Sequence, residues 1–559
     1  MRSVVLSFLL AAMTVFVAAG CRQADPDWIE RYKRSVRSDI DLYLVPERFA
    51  VLESSWLKKS AIARYDRAQL EAALKTYGRS LDDLRRNAQL DYKENGNTVT
   101  MKVGRISHST AYDYDTSIPI IFHGKWFKPG QYNEIVHQQH IAPTLAKILG
   151  VPSPSGSDAE ALRVVAGIKE KPSIVVVAVI DQGGMGLLRH HASSAPVIHT
   201  LMKNSANMTQ AHVGHLDAHT AVGHMAIGTG AYPIKSNVIG NTFFSMQKAT
   251  GKAKLEKSEI YATKDESKVT PDELKAETLG DVLNRVHGGK SVIASQSYAL
   301  RASIGMAGHG LSGGKNNYVY WLDATKSKWL TDTRYYSLPR VVAASDVLLH
   351  YNKHYPQGFE GYQIKDTKLA LENWGVMMST PAETQLEGEL MRAVIEQEIL
   401  AKKKDKDEFT DLIYISFKSA DAVGHHFGYH SLEAGETLGE IDRQIAKMLE
   451  FLKKHYGDNF AFVLTADHGC APSSEISGGA RLTVEEVIDA IDTLLPKEVA
   501  ANESLVRFMT VGQISLNKAL MQKHNISEAA IVDKIAAFES NGKKFFRHVL
   551  TRKDLGLGA

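Results

Sequence analysis

Cysteine is nearly missing from this chain. Cys21 and Cys470 are the only two among 559 residues, so disulfides cannot carry the fold, which must rest on its core and on any bound ions. An excess of one charge is missing as well. Lysine and arginine number 66 against 63 aspartates and glutamates, a formal charge of +3 that gives no footprint for an acidic polymer, and no nucleic-acid binding is expected. Short-period repeats and low-complexity tracts are absent, which argues against a solenoid or a disordered chain. At 44% hydrophobic and 23% charged residues the composition is globular, and the length allows more than one lobe.

What is present begins at the N-terminus. Arg2 precedes an apolar run from Val4 to Ala19, broken only by Ser7 and Thr14, and small residues lead to Cys21. This is the layout of a secretory signal peptide, and the run is short for a membrane span. Ala18-Ala19-Gly20-Cys21 resembles a bacterial lipobox with Ala18 in place of the usual leucine. That resemblance implies a lipoprotein signal peptide over residues 1–21, lipidation of Cys21, and a membrane-anchored chain facing the periplasm or cell surface. Plain secretion and retention as an N-terminal anchor are the alternatives.

Residues 27–90 read as mixed helix, with Leu70, Leu74 and Tyr77 on one apolar face. Residues 97–125 read as strands and loops, including a buried strand at Ile118 to Phe122, and a helix is expected from Ala142 to Leu149. Pro152, Pro154, Gly156 and Gly167 mark 151–172 as a linker. The continuous apolar run Ile174 to Ile180 then suits a buried parallel strand, whose carboxyl end is where ligands bind. Leu412 to Phe417 and Phe460 to Leu464 repeat the pattern around a helix from Glu433 to Lys454, so an α/β sheet with right-handed crossovers is expected.

Acidic groups close these strands: Asp181 after the first, Asp421 and His425 after the second, Asp467-His468-Gly469 after the third. Single Asp–His pairs are commonly ion pairs or caps. Three carboxylates at matching strand ends repel unless protonated or neutralised by cations, and mixed Asp/His ligation suits zinc better than calcium or magnesium.

Asp181-Gln182, Thr220-Ala221-Val222-Gly223-His224, Asp421-x-x-Gly424-His425, Asp467-His468-Gly469, Thr229-Gly230-Ala231-Tyr232-Pro233 and Gly240-Asn241 together resemble the alkaline phosphatase superfamily. The likeness is to its branch of nucleotide pyrophosphatase/phosphodiesterases and threonine-type alkaline phosphatases. It implies a three-layer α/β sandwich with a mostly parallel sheet and a cap, and two zinc ions. Asp181, Thr220, Asp467 and His468 would bind one ion, Asp421 and His425 the other, which in the family needs one more histidine.

The family carries that histidine downstream, but His524 and His548 sit in unrelated contexts. Ser107-His108-Ser109 through Ile118-Pro119 resembles the family's C-terminal segment around this ligand, followed by Ile141-Ala142-Pro143-Thr144-Leu145 and Gly150, with Arg37 to Asp41 resembling a stretch before it. The resemblance thus implies circular permutation. Residues 27–150 would complete a core made of 173–240 and 411–559, and 241–410 would form the cap. Ser109 stands where the family has glycine.

The resemblance further implies Thr220 as a metal-activated nucleophile forming a phospho-threonine, at the start of a helix whose free N–H groups favour phosphate. Alone, a threonine before a helix is an N-cap. Asn241 and Arg301 would bind substrate phosphate. In the family's Lys-x-Arg segment the lysine position is Ala299, a loss that weakens recognition of a dianionic monoester relative to a diester. The expected activity is phosphomonoester hydrolysis on a small phosphate ester or nucleotide. Phosphodiesterase or nucleotide pyrophosphatase activity is the alternative, and a non-catalytic metal-binding lipoprotein the alternative from another class. His309 and His426 read as structural, Tyr318 to Trp321 as core, and the run from Lys402 as a solvated loop.

Overall fold

A computed structural model describes residues 28–244, 257–262, 268–323, 327–354, 378, 380–402, 408–540 and 542–557. The signal segment and Cys21 lie outside the described residues. Among the described residues no helix is long and apolar enough to cross a membrane.

The strand Ile174–Ile180 is buried at every position, and its side chains alternate between two cores. Ile174, Val176, Ala178 and Ile180 feed one, and Val175, Val177 and Val179 feed the other. A run this apolar is stable only when covered on both faces, which makes it the middle of three layers. It lies inside a nine-stranded sheet ordered Lys328–Leu330, Asn317–Asp323, Ile293–Gln296, Asp411–Phe417, Ile174–Ile180, Phe460–Ala466, Ile120–His123, Ala206–His212, Gly130–His137. Only the edge strand Lys328–Leu330 and the inner strand Ile120–His123 run against the rest. The register sets Ile180 level with both Phe417 and Ala466, so the next residues, Asp181, Lys418 and Asp467, emerge side by side.

The span expected as a cap, 241–410, supplies part of the central sheet. Strands Ile293–Gln296 and Asn317–Asp323 extend the central sheet, because their residues are buried throughout and need neighbours on both sides. The expected core is shorter at its end. Strands Val506–Met509, Gln513–Leu516 and Phe546–Thr551 form a second sheet with Leu42–Pro46, packed with the helices Val484–Asp492 and Glu528–Ala536 into a separate lobe. The mixed-helix reading of 27–90 holds for Trp28–Ser35, Arg67–Thr76 and Leu81–Arg85, but strands occupy Leu42–Pro46, Val51–Glu53 and Ser60–Asp66 between them. Residues 151–172 contain no strand or helix, yet they are fastened down. Lys128 N–H donates to Val164 O and Ala166 N–H to Trp126 O, while Leu162 and Val164 are buried.

Candidate metal and phosphate site

Each group reaches the site for a local reason. Asp421 and His425 share one face of the helix Ser419–Phe427, four residues apart. Gly424 between them is required: a Cβ there would stand 1.7 Å from Gln182 Oε1. That closeness lets Gln182 donate from Nε2 to Asp421 Oδ1 at 3.0 Å and from its backbone N–H to Asp467 Oδ1 at 2.9 Å. Gly469 allows the carbonyl of Tyr114 to pass where a Cβ would sit 2.1 Å away. Thr220 opens the fully buried helix Thr220–Thr229, and Asn241 Oδ1 accepts from Ala221 N–H at 2.9 Å, fixing that helix start.

His108 arrives from the loop after strand Thr98–Gly104. Its Nε2 lies 3.6 Å from Asp421 Oδ1, and its ring packs on His468 at 3.7 Å and near His425 at 5.1 Å. His425 Nε2 lies 3.2 Å from the same Asp421 oxygen. The structure therefore brings together Asp181, Thr220, Asp467, His468, Asp421, His425 and His108. Asn241 and Arg301 line a cleft of about 590 Å³ together with His108, Asp421, His425 and Lys418. His309 pairs with Asp281 away from it, His426 hydrogen-bonds Ala422 O at its wall, and Tyr318 to Trp321 are core. Trp56 from the N-terminal segment and Val484, Ile488 and Met509 from the second lobe close the cleft's outer side.

The donor set fits divalent cations. The Nδ1–H of His108, His425 and His468 donates to the carbonyls of Ala218, Ile106 and Gly469 at 2.7, 2.6 and 2.9 Å, leaving each Nε2 as a lone-pair donor aimed inward. Burial pushes the His108 imidazole well below its ordinary range and His468 down to about 4, so both rings are neutral. Asp181 Oδ2, Asp467 Oδ2 and His468 Nε2 are buried with no hydrogen-bond partner among the described residues. Donor atoms of Asp181, Asp467 and His468 lie within 4.8 Å of one another, as do those of His108, Asp421 and His468. Lone pairs facing one another at such range are reconciled only by a shared proton or a cation. Burial, with Asp467 alongside, pushes Asp181 well above the usual carboxylate range. Burial opposes charge on Asp421 too, but His425 and Lys418 hold it well below that range.

Lys418 was not found from the sequence. Its ammonium lies among Asp181, Asp421 and Thr220, with a side chain only 4% exposed. Burial pulls its pKa down, yet Asp181 and Asp421 more than offset this and hold it above the ordinary value. The available signal was its place directly after an apolar strand, level with Asp181.

The family described as type I phosphodiesterase / nucleotide pyrophosphatase matches residues 175–552. The calcium-transporting ATPase of Myroides odoratus is 25% identical, over 65% of this chain and 72% of its own length. The alkaline phosphatases PafA of Elizabethkingia meningoseptica and PhoV of Synechococcus elongatus are each 26% identical, over 54% and 45% of this chain. The matches span 61% and 50% of those two proteins, less than two thirds of either. A crystal structure of wild-type alkaline phosphatase PafA superposes with a TM-score of 0.54 at 21% identity, covering 65% of this chain and 76% of that one, a likeness of fold.

Proposed function

The chain belongs to the type I phosphodiesterase / nucleotide pyrophosphatase family of the alkaline phosphatase superfamily, and from that premise we propose a two-zinc phosphomonoesterase with Thr220 as nucleophile. Asp181, Thr220, Asp467 and His468 would hold one ion, and Asp421, His425 and His108 the other. The observation that carries this is the set of three imidazoles whose Nδ1 atoms are tied to backbone carbonyls while their Nε2 atoms converge on buried carboxylates. Bound zinc would supply the positive charge that acidifies the threonine hydroxyl and neutralises phosphate oxygens. Thr220 Oγ1 forms the bond to phosphorus as the leaving alcohol departs, and water then releases phosphate from the phospho-threonine. Arg301 and Asn241 line the cleft where the phosphate oxygens would lie, and the N-terminal turn of Thr220–Thr229 favours their charge.

A diesterase is the second reading. It is favoured by Ala299, buried at 3% exposure, which puts no cation at the start of the helix Leu300–Ala307 beside Arg301. A non-catalytic metal-binding protein is the third, and it leaves the Thr220 hydroxyl without a use. Circular permutation belongs to the proposal as well. The family match starts at residue 175, whereas His108, from ahead of it, lies against Asp421 and His468. So does export with a lipid on Cys21, which membrane fractionation of a Cys21→Ser chain would read.

Hydrolysis of p-nitrophenyl phosphate and its bis ester, with and without chelator, separates the readings. We expect the monoester to be the better substrate, chelator to abolish turnover, and Thr220→Ala to lower it by about 10³-fold or more. A bis-ester preference selects the diesterase. Turnover that survives chelation or Thr220→Ala would remove the proposed mechanism.

A further inference from the structure

Lys418 has an uncommon environment for a lysine. The strand Asp411–Phe417 ends level with Ile180, so Lys418 follows directly into the row that holds Asp181 and Asp467. The ammonium donates two hydrogen bonds and makes one further close ion pair. Asp181 Oδ1 lies at 3.0 Å, Asp421 Oδ2 at 2.6 Å and Thr220 Oγ1 at 3.2 Å. Every one of these oxygens belongs to a residue assigned above to a cation, and they are drawn from both proposed ligand sets.

Two consequences follow from charge alone. With Asp181, Asp421 and Asp467 buried together, removing the ammonium without adding a cation leaves like charges facing one another. A divalent ion reaching the same carboxylates instead meets a buried positive charge bonded to its own ligands, and like charges at that range repel strongly in a site shielded from water. The ammonium thus does part of a metal's work and stands in a metal's way.

We propose that Lys418 is a built-in counter-ion of this site, a positioning residue that holds Asp181, Asp421 and Thr220 in place without metal and competes with zinc for those oxygens. The inference rests on the reading of these residues as cation ligands. It assigns to one lysine a lower zinc affinity than the donor set alone would give, so the protein exchanges metal more readily. It also keeps the nucleophile's oxygen oriented through exchange, because the bond to Thr220 does not depend on an ion.

The test follows zinc binding to the full chain by competition with a chromophoric chelator, alongside thermal unfolding in excess chelator. Lys418→Met is expected to unfold at lower temperature without metal yet bind zinc at least tenfold more tightly. Opposite movement of the two readouts is the signature, since a merely structural lysine would lower both. Lys418→Arg, which keeps the charge, should restore the weaker affinity. Should Lys418→Met not fold in chelator, Lys418→Gln provides the same comparison. Equal or weaker zinc binding by the neutral variants overturns the inference while leaving the two-zinc reading intact. A wild-type chain that takes up no zinc in equilibrium dialysis overturns both.

Discussion

Ser109 has a backbone φ of 103°, a region where a Cβ is strained, and its hydroxyl lies 2.8 Å from His219 Nε2. The resemblance to the wider superfamily has glycine here, and the geometry gives the reason. Ser109→Gly should relieve strain while losing the contact, whereas Ser109→Ala keeps the strain and loses it too. The glycine variant should therefore be the more stable by about 1–3 kcal/mol in denaturant unfolding, the reverse of glycine's usual standing. An alanine variant as stable as the glycine one would show the loop to be relaxed. At this scale the sequence was legible wherever chemistry is written in residue type, as in Asp467-His468-Gly469. Lys418 was hidden because a lysine after an apolar strand ordinarily reads as a solvated strand end. Only the pairing of Phe417 with Ile180 turns it inward.

On the helix Pro381–Val394, Glu383 and Glu387 are both fully buried, and neither Glu383 oxygen has a hydrogen-bond partner among the described residues. Burial pushes the Glu383 carboxyl up to about 7 from an ordinary 4.5, and burial together with Glu383 raises Glu387 also. A raised pKa means that folding favours the protonated form. The contribution of Glu383 is complete below its unfolded pKa and is lost as pH climbs through about 7. Glu383→Gln removes that titration, so its stability relative to wild type should improve from pH 5 to pH 8 by up to about 3 kcal/mol. Parallel stability curves for the two proteins would contradict the assignment. Elements were readable where one local pattern suffices, as for the strand Ile174–Ile180 or the helix expected at 433–454 and observed as Leu432–Tyr456. The strands within 27–90 were missed because their partners lie outside that stretch: Ser60–Asp66 pairs with Thr98–Gly104, and Leu42–Pro46 with Phe546–Thr551.

Across the whole molecule, the two ends of the chain are fastened by backbone ladders. Ile120–His123 is inserted between Phe460–Ala466 and Ala206–His212. A protease site placed in the exposed stretch 167–171 should therefore yield two fragments that co-elute without denaturant and keep chelator-sensitive hydrolysis. Separation of the fragments on gel filtration would mean the ladders do not hold the ends together. The place of the second lobe was not foreseen, because its sheet is shared between residues near both termini and neither contribution is periodic enough to announce it. The inserted strand also sets a schedule for biosynthesis. Ile120 to His123 leave the ribosome early and one partner, Ala206–His212, follows soon after, but the other is made only when translation reaches Phe460, so that long-range pairing must wait. A polypeptide released before that point carries the histidine and lacks the carboxylate of Asp467, and one that starts late carries the carboxylate and lacks the histidine. On the proposed reading, truncation from either direction leaves the donor set incomplete, and that set is assembled only once translation has passed His468.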